Sequence, residues 1–150
     1  GTFFGQCAEF CGESHANMRF RVIVQTREDF DAWVEQQLSD AVIPSDPLAK
    51  QGHDLFMSID AGCWACHTIR GSSNAYGQVG PDLTHFASRL HLASGIMDNT
   101  HENLVRWLTD PNDVKPGNIM SRDATVYNDP TQTLTDPEIA ALAAYLRSLE

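Results

Sequence analysis

The segment Cys63-Trp64-Ala65-Cys66-His67 constrains the fold of this 150-residue chain more than any other stretch. Two thiols three positions apart, followed at once by a histidine, are the signature of c-type haem attachment. The two thiols can add across the two vinyl groups of a haem, and the adjacent imidazole can then reach the iron. The motif therefore predicts a domain built around one covalently bound haem c, attached at Cys63 and Cys66 and ligated by His67.

A pair of cysteines at this spacing also occurs in three kinds of site that hold no haem. A thioredoxin-like redox pair follows a strand in a βαβ unit, whereas helical patterns surround this one. A zinc site needs a second pair of ligands, and Cys63 and Cys66 are the only cysteines after residue 48. A disulfide between them would leave His67 without a role. The sequence favours haem over all three.

The second axial ligand is predicted to be Met120. Met57 lies on the helix that precedes the haem cysteines, and its spacing suits core packing. Met97 remains a second candidate. Met120 ends the run DPNDVKPGNIM, whose proline and glycine predict a tight, extended loop that could wrap the far face of a flat cofactor. A methionine ligand raises the reduction potential of a haem and suits electron transfer.

Apolar periodicity, capping residues and prolines predict one strand and several helices. Thr26 is a candidate N-cap, and Thr135 with Glu138 forms a candidate capping box. The predicted elements are a strand at 20–25 and helices at 27–39, from 47 into Cys63, at 84–91, at 100–109 and at 134–149. From residue 48 onward the sequence therefore predicts an all-α domain, with an irregular stretch at 71–80.

Composition excludes several classes of function. The net charge of −10 argues against nucleic acid or an anionic membrane surface as a partner. No run of about 18 apolar residues is present to span a bilayer. The chain begins at Gly1 with neither a signal peptide nor a methionine, so we expect it to be a piece of a longer protein.

Residues 48–150 resemble a class I cytochrome c in several further motifs. GPDL at 80–83 resembles the family segment whose proline carbonyl orients the proximal histidine, so the resemblance implies that Pro81 accepts a hydrogen bond from His67. Arg89 falls where the family places an arginine near a haem propionate. The resemblance thus extends from the attachment motif into the residues that would line the pocket.

The run WLTDPNDVKPGNIM resembles the family segment that leads from a haem-lining aromatic to the axial methionine. This implies that Trp107 lies on the methionine side of the pocket and that Asn118 lies near a propionate. The terminal AYLRSL resembles the family's last helix, which crosses the first. The resemblance implies a mainly α, class I cytochrome c fold.

The spacing Cys7-x-Glu9-x-Cys11-x3-His15-x2-Met18 resembles the binuclear copper (CuA) loop of cytochrome c oxidase subunit II. Two thiolates four positions apart can bridge a pair of copper ions, which soft ligands favour. The resemblance implies that His15 and Met18 each cap one copper and that the backbone carbonyl of Glu9 is a further ligand.

A zinc site and a Cys7–Cys11 disulfide are the alternatives for this loop, although a thioether is a poor zinc ligand. The family's copper domain is a cupredoxin barrel, and one of its histidines comes from an earlier strand. Residues 1–40 retain only a strand or hairpin plus a helix. We therefore expect the copper site to be empty in this chain alone, and the two thiols to pair in an oxidising compartment.

Together the two motifs resemble subunit II of caa-type haem–copper oxidases. Residues 1–40 are then the copper-domain remnant, 41–47 a linker and 48–150 the cytochrome domain. The resemblance implies electron transfer in aerobic respiration, from a soluble donor such as a small cytochrome through haem c to CuA and on to subunit I. It implies that the chain is part of an oxygen-reducing, proton-pumping oxidase in a bacterial cytoplasmic membrane. The two metal domains would lie on the outer face of that membrane, anchored by N-terminal helices outside this sequence.

The sequence leaves two further functions open. One is an open-haem, peroxidase-like or ligand-sensing protein, which would require that Met120 does not bind iron. The other is a copper-binding or copper-delivery module built on residues 7–18.

Overall fold

The computed structural model describes residues 1–150 and is mainly α-helical, as the sequence predicts. Eight helices and two short antiparallel hairpins alternate along the chain. None of its helices is both long enough and apolar enough to cross a bilayer. In chain order the elements are β1 (Thr2–Gln6), a 3-10 turn (His15–Asn17), β2 (Arg19–Ile23), α1 (Arg27–Leu38), α2 (Pro47–Phe56), α3 (Cys63–Cys66), β3 (His91–Leu92), β4 (Met97–Asp98), α4 (His101–Thr109), α5 (Pro111–Val114), α6 (Ile119–Asp123), α7 (Thr125–Asn128) and α8 (Asp136–Arg147).

The N-terminal region, residues 1–40, is a hairpin followed by a helix. β1 pairs with β2 in a register that places Phe4 opposite Arg21, and the guanidinium of Arg21 lies 4.4 Å from the centre of the Phe4 ring. α1 begins at Thr26, whose hydroxyl accepts the backbone N–H of Asp29 at 3.2 Å. The predicted strand and helix are both found, and β1 completes the hairpin.

α2 and α8 cross at very close range. Gly52 makes this possible, because a Cβ at this position would overlap the backbone carbonyl of Ala141. Beside the crossing point, the rings of Phe56 and Tyr145 pack edge to face with centroids 5.7 Å apart. This pair of crossed helices holds one side of the C-terminal region, residues 47–150, together.

α8 begins at the predicted capping box, in which the Glu138 carboxylate accepts the backbone N–H of Thr135 at 2.8 Å. Its apolar stripe packs with α2 and α4 against the loops of residues 69–92. The core contains fourteen buried residues: Phe56, Ile69, Ala75, Leu83, Phe86, Leu92, Leu104, Leu108, Ile139, Leu142, Ala143, Tyr145, Leu146 and Leu149.

The helix predicted to run into Cys63 ends before it, at Phe56. The Ser58 hydroxyl donates to the carbonyl of Leu55 at 2.7 Å, and the indole of Trp64 donates to the Ser58 carbonyl at 3.0 Å. The Leu55 carbonyl thus accepts hydrogen bonds from Ser58, in a turn that ends α2. Gly62 then adopts a left-handed conformation (φ +62°), which starts the separate turn α3.

The helix predicted at 84–91 is wrong, and side chains bind several backbone groups of this segment. The Asp82 carboxylate accepts the N–H of Thr84 at 2.8 Å. Farther along, the Asn99 amide donates to the carbonyls of Phe86 and Arg89 at 2.9 and 3.0 Å. The segment is therefore a series of turns that leads into the β3–β4 hairpin.

The segment 110–120, predicted as an extended loop, is largely helical. The Asp110 carboxylate caps α5 by accepting two backbone N–H groups, at 2.9 and 3.1 Å. The Asn118 side chain caps α6, so Met120 lies in the first turn of a short helix and not in a loop. Asp and Asn are strong N-caps, and both signals are present in the sequence.

Candidate functional site

A cavity of about 970 Å³ lies against the core, and residues of both the N-terminal and the C-terminal region line it. This volume is at the upper end of the range for small-molecule and cofactor sites. Most of the lining is apolar, with Leu83, Leu104 and Val126 among the contributors. Every residue that the sequence assigns to haem binding lines this one cavity: Cys63, Cys66, His67, Pro81, Arg89, Trp107, Asn118 and Met120.

The two attachment thiols lie on α3, at the wall of this cavity. α3 is a single turn, which presents Cys63 and Cys66 to the cavity together with the following His67. Burial raises the pKa of the Cys63 thiol to about 12. The thiol is thus protonated at neutral pH and faces the apolar space in which a vinyl group would lie.

The His67 imidazole is oriented by the GPDL segment. Its Nδ1 lies 2.8 Å from the carbonyl oxygen of Pro81. Because a carbonyl only accepts, Nδ1 carries the proton and Nε2 keeps its lone pair. Burial lowers the pKa of His67, although the Pro81 carbonyl acts in the opposite direction. The neutral imidazole is the form that binds a metal.

Gly80 sets the distance between this segment and the histidine. A Cβ at Gly80 would overlap the His67 ring, so no larger residue fits without displacing the imidazole. The N–H of Gly80 also donates to the Cys66 carbonyl at 2.7 Å. The attachment turn and the GPDL segment are therefore fixed to each other on both sides of the histidine.

Elsewhere on the cavity wall, Asn118 positions the turn that carries Met120. Its side-chain oxygen accepts the N–H of Ser121 at 2.8 Å, and its Nδ2 lies 2.7 Å from the Lys115 carbonyl and 3.0 Å from that of Pro111. The amide is thus bound to the chain itself. Asn118 lines the cavity, and its bonds hold α6 in place.

Arg89 supplies a positive charge at the cavity wall. Its guanidinium donates to the Asp82 carbonyl, and burial lowers its pKa while the Asp82 carboxylate raises it. A half-buried guanidinium is well suited to bind a carboxylate of a ligand. The apolar cavity, two thiols, a neutral histidine and a methionine that line it together fit a covalently bound haem.

Tyr127 is a cavity residue that the sequence did not reveal. Its hydroxyl donates to the Leu108 carbonyl at 2.9 Å. Burial raises its pKa, and the Cys63 thiol adds to that effect. Tyr127 lies in α7, a single turn without any periodic pattern, so no sequence signal pointed to the cavity.

The predicted copper ligands form a second, compact cluster near the surface. The Cys11 Sγ lies 3.5 Å from the Cys7 Sγ, 3.4 Å from the Met18 Sδ and 3.7 Å from the His15 Nδ1. The Cys7 Sγ lies 3.1 Å from the carbonyl oxygen of Glu9. All five predicted groups therefore meet in one place, as a set of soft donors that fits copper.

The two thiols of this cluster are not joined. Their separation of 3.5 Å is well beyond a disulfide bond length of about 2.05 Å. A hydrogen bond with Cys7 raises the pKa of Cys11, whereas the positive charge of Lys115 lowers it in part. The predicted disulfide is thus absent, and the pair is arranged as a ligand set.

The fold and the haem-type cavity together define a small c-type cytochrome. The cytochrome c family profile matches residues 49–150, and the chain belongs to this family. A cytochrome c domain carries a covalent haem c.

Relatives extend the similarity over the N-terminal region. The chain is 39% identical over 150 residues to cytochrome c oxidase subunit 2 of Alkalihalophilus pseudofirmus, covering all of this chain and 40% of that protein. It is 41% identical over 153 residues to the same subunit of Bacillus sp. strain PS3, again covering 40% of it. For Bacillus subtilis the identity is 34% over 150 residues and 39% of the protein is covered.

The chain spans about two fifths of the length of these relatives. This pattern fits a cytochrome c domain fused to the C-terminal end of an oxidase subunit 2, as the two motifs predict.

Proposed function

We propose that this chain is the cytochrome-bearing part of an oxidase subunit 2, and that it carries single electrons from a soluble donor to a CuA centre. One observation carries the proposal. Cys11 and Met18 of the copper-ligand cluster line the same cavity as His67 and Met120. The two predicted metal sites therefore belong to one continuous structure.

On the haem side, each residue has a distinct role. Cys63 and Cys66 would hold the cofactor covalently, and His67 and Met120 would supply ligands to its iron. A bound haem would supply a one-electron couple. The Pro81 carbonyl holds the proton of His67 on Nδ1 and leaves the Nε2 lone pair free for a metal, and Arg89 offers its guanidinium to a propionate. Most of the cavity lining is apolar, which suits a haem that transfers electrons.

On the copper side, Cys7, Cys11, His15, Met18 and the Glu9 carbonyl are the proposed ligands. The second histidine of such a centre belongs to a part of the subunit outside these 150 residues. For this reason we propose that the intact subunit holds copper, whereas the 150 residues alone do not retain it.

In the intact subunit, the proposed route runs from a small soluble redox protein through haem c and CuA to subunit I, where oxygen is reduced and protons are pumped. The proposed location is the outer face of a bacterial cytoplasmic membrane, with membrane anchoring by segments outside this sequence. The division at residues 40 and 47 into copper remnant, linker and cytochrome domain is part of the same proposal.

Absorption spectroscopy of the haem-loaded chain tests the ligand assignment. We expect a low-spin c-type spectrum with a sulfur-to-iron charge-transfer band in the far red. Met120→Leu should abolish this band and open the iron to cyanide, whereas Met57→Leu and Met97→Leu should leave the band in place. The two control variants remove the same sulfur from core-packing positions.

Two results would overturn the proposal. A high-spin spectrum of the unaltered chain would indicate an open haem and favour a peroxidase-like or ligand-sensing function. Stoichiometric copper with a near-infrared band in the 150 residues alone would show that the copper loop needs no further ligand, and would favour a copper-binding module.

A further inference from the structure

The copper-ligand loop, residues 7–18, is docked directly on the segment that leads to Met120. The Ser14 hydroxyl donates to the carbonyl oxygen of Pro116 at 2.7 Å, across 102 positions of sequence. Ser14 is only 7% exposed and is the one buried residue before α2. A single hydrogen bond with a buried donor therefore joins a neighbour of His15 to a residue four positions before Met120.

A second contact fixes the adjoining strand. The backbone N–H of Arg19 donates to the Ser94 carbonyl at 2.9 Å. Gly95 has a φ of +75°, and a Cβ there would lie 2.7 Å from the Arg19 carbonyl oxygen. Lys115 ties the two contact points together, because its ammonium group donates to the Ser94 hydroxyl at 2.8 Å. The hydrogen bond from Lys115 thus fixes Ser94, the residue that accepts the Arg19 N–H.

A third contact again involves a glycine with a positive φ, one residue beyond Pro116. Gly117 also has a positive φ, +73°, and a Cβ there would lie 3.2 Å from the Glu13 carboxylate. Glycines thus allow the two loops to approach closely on both sides of the Ser14 bond. This is a packed, specific interface between two loops that each carry proposed metal ligands.

We propose that the Ser14–Pro116 hydrogen bond makes Ser14 a positioning residue for electron transfer between the two metal sites. The connection runs from His15 through one peptide bond to Ser14, across the hydrogen bond to Pro116, and along the backbone to Met120. It rests on the proposed function. One electron leaves the ferrous haem iron, which becomes ferric, and enters the oxidised copper pair, with no atom or proton transferred.

The physical reason is preorganisation. A fixed contact holds donor and acceptor at one distance and orientation, so no search through relative positions precedes each transfer. The Ser14 hydroxyl also gives the Pro116 carbonyl a direct hydrogen-bond partner. Removing the hydroxyl loosens the docking of the copper-ligand loop while leaving all the proposed metal ligands in place.

The test uses the intact oxidase with Ser14→Ala. Hydrogen exchange of the Arg19 amide should become roughly 2- to 10-fold faster, as expected for the loss of one buried hydrogen bond. Electron transfer from flash-reduced haem c to copper should slow by a similar factor. Both metal spectra should be unchanged. Ser148→Ala is the matched control, since Ser148 donates to the Tyr145 carbonyl at 2.6 Å within its own helix end, and it should alter neither quantity.

Gly95→Ala is the second variant, because it presses on Arg19 from the cytochrome side and touches no proposed ligand. It should also speed Arg19 exchange and slow the transfer, while amides in α2 stay protected. An unchanged transfer rate in both variants would overturn the inference, even if exchange increased. Missing haem or copper spectra in the unaltered oxidase would instead overturn the proposed function, so the two failures are distinguishable.

Discussion

α1 and α8 are helices of equal length, twelve residues each, with opposite relations to the rest of the molecule. Both have a threonine N-cap and acidic residues in the first turn. α8 buries six of its residues, whereas α1 buries none. The caps mark where both helices begin, and they do not determine whether a helix has a core to pack on.

The same contrast extends to the whole N-terminal region. Its exposed apolar side chains include Phe3, Phe4, Phe10, Phe20, Val22, Phe30, Trp33 and Leu38. Exposed apolar side chains in this number indicate a surface that interacts with other protein segments. Within the proposed function, the remaining strands of a copper domain cover it. The C-terminal region packs around its own core, while the N-terminal region is positioned by hydrogen bonds to loops of the C-terminal region, at Ser94 and Pro116.

Removal of haem should have the largest effect on stability. It should leave the C-terminal region without the well-packed core that distinguishes it from the N-terminal region. Without the cofactor, an apolar cavity of about 970 Å³ lies beside the core, and such a void is incompatible with close packing. We expect chain produced without haem attachment to lose its near-UV circular dichroism and its cooperative thermal transition. A sharp transition in the haem-free chain would show that the core stands without the cofactor.

A matched pair of leucine truncations should show the contrast between the helices. Leu142 in α8 is 1% exposed, and Leu38 in α1 is 76% exposed. Leu142→Ala should lower the free energy of unfolding of the haem-loaded chain by about 2–5 kcal/mol. Leu38→Ala should change it by less than about 0.5 kcal/mol. Urea titrations give both values, and equal effects would contradict the assignment of the core.

Added side-chain volume should also distinguish the close crossing of α2 and α8 from the exposed surface of α1. Gly52→Ala places a methyl group against the Ala141 backbone, so it should destabilise by about 1–3 kcal/mol even though alanine favours helix. Ala32→Leu adds more volume on the exposed surface of α1 and should be nearly neutral. A stabilising Gly52→Ala would mean that α2 and α8 cross farther apart than the structure shows.

The smallest expected effect is pH-dependent and local to the cap of α8. The backbone and hydroxyl of Thr135 lower the pKa of Glu138 in the folded chain. The stabilisation is therefore present above the ordinary carboxylate pKa and is lost as the pH falls through the lower, folded value. Glu138→Gln should cost a few tenths of a kcal/mol at pH 7, since the group is largely exposed. The difference in free energy of unfolding between the variant and the unaltered chain should fall towards zero in acid. A difference that does not change with pH would exclude this coupling between the protonation of Glu138 and stability.

Spacing and capping predicted much of this molecule. The attachment motif led directly to His67, and the Thr135–Glu138 pair located α8. The copper-ligand spacing predicted a cluster that the structure assembles. These features could be predicted because each is encoded by residues that are close together in sequence.

The errors come from interactions that local patterns do not describe. The segment at 84–91 is turned and not helical because Asp82 and Asn99 bind its backbone. α6 is the exception, because its N-cap Asn118 is a local signal for a helix start, although the proline and glycine just before it favour a loop. The hydrogen bond between Ser14 and Pro116 joins loops that are 102 positions apart, and the apolar periodicity of the sequence does not predict such a contact.

The most direct test of the central claim is pulsed one-electron reduction of the fully oxidised, intact subunit. If haem c feeds the copper centre, haem absorbance should rise first and then decay at the same rate at which the near-infrared copper band bleaches. Ser14→Ala should slow that shared phase. A haem that stays reduced beside oxidised copper would contradict the claim that the two sites form one electron-transfer path.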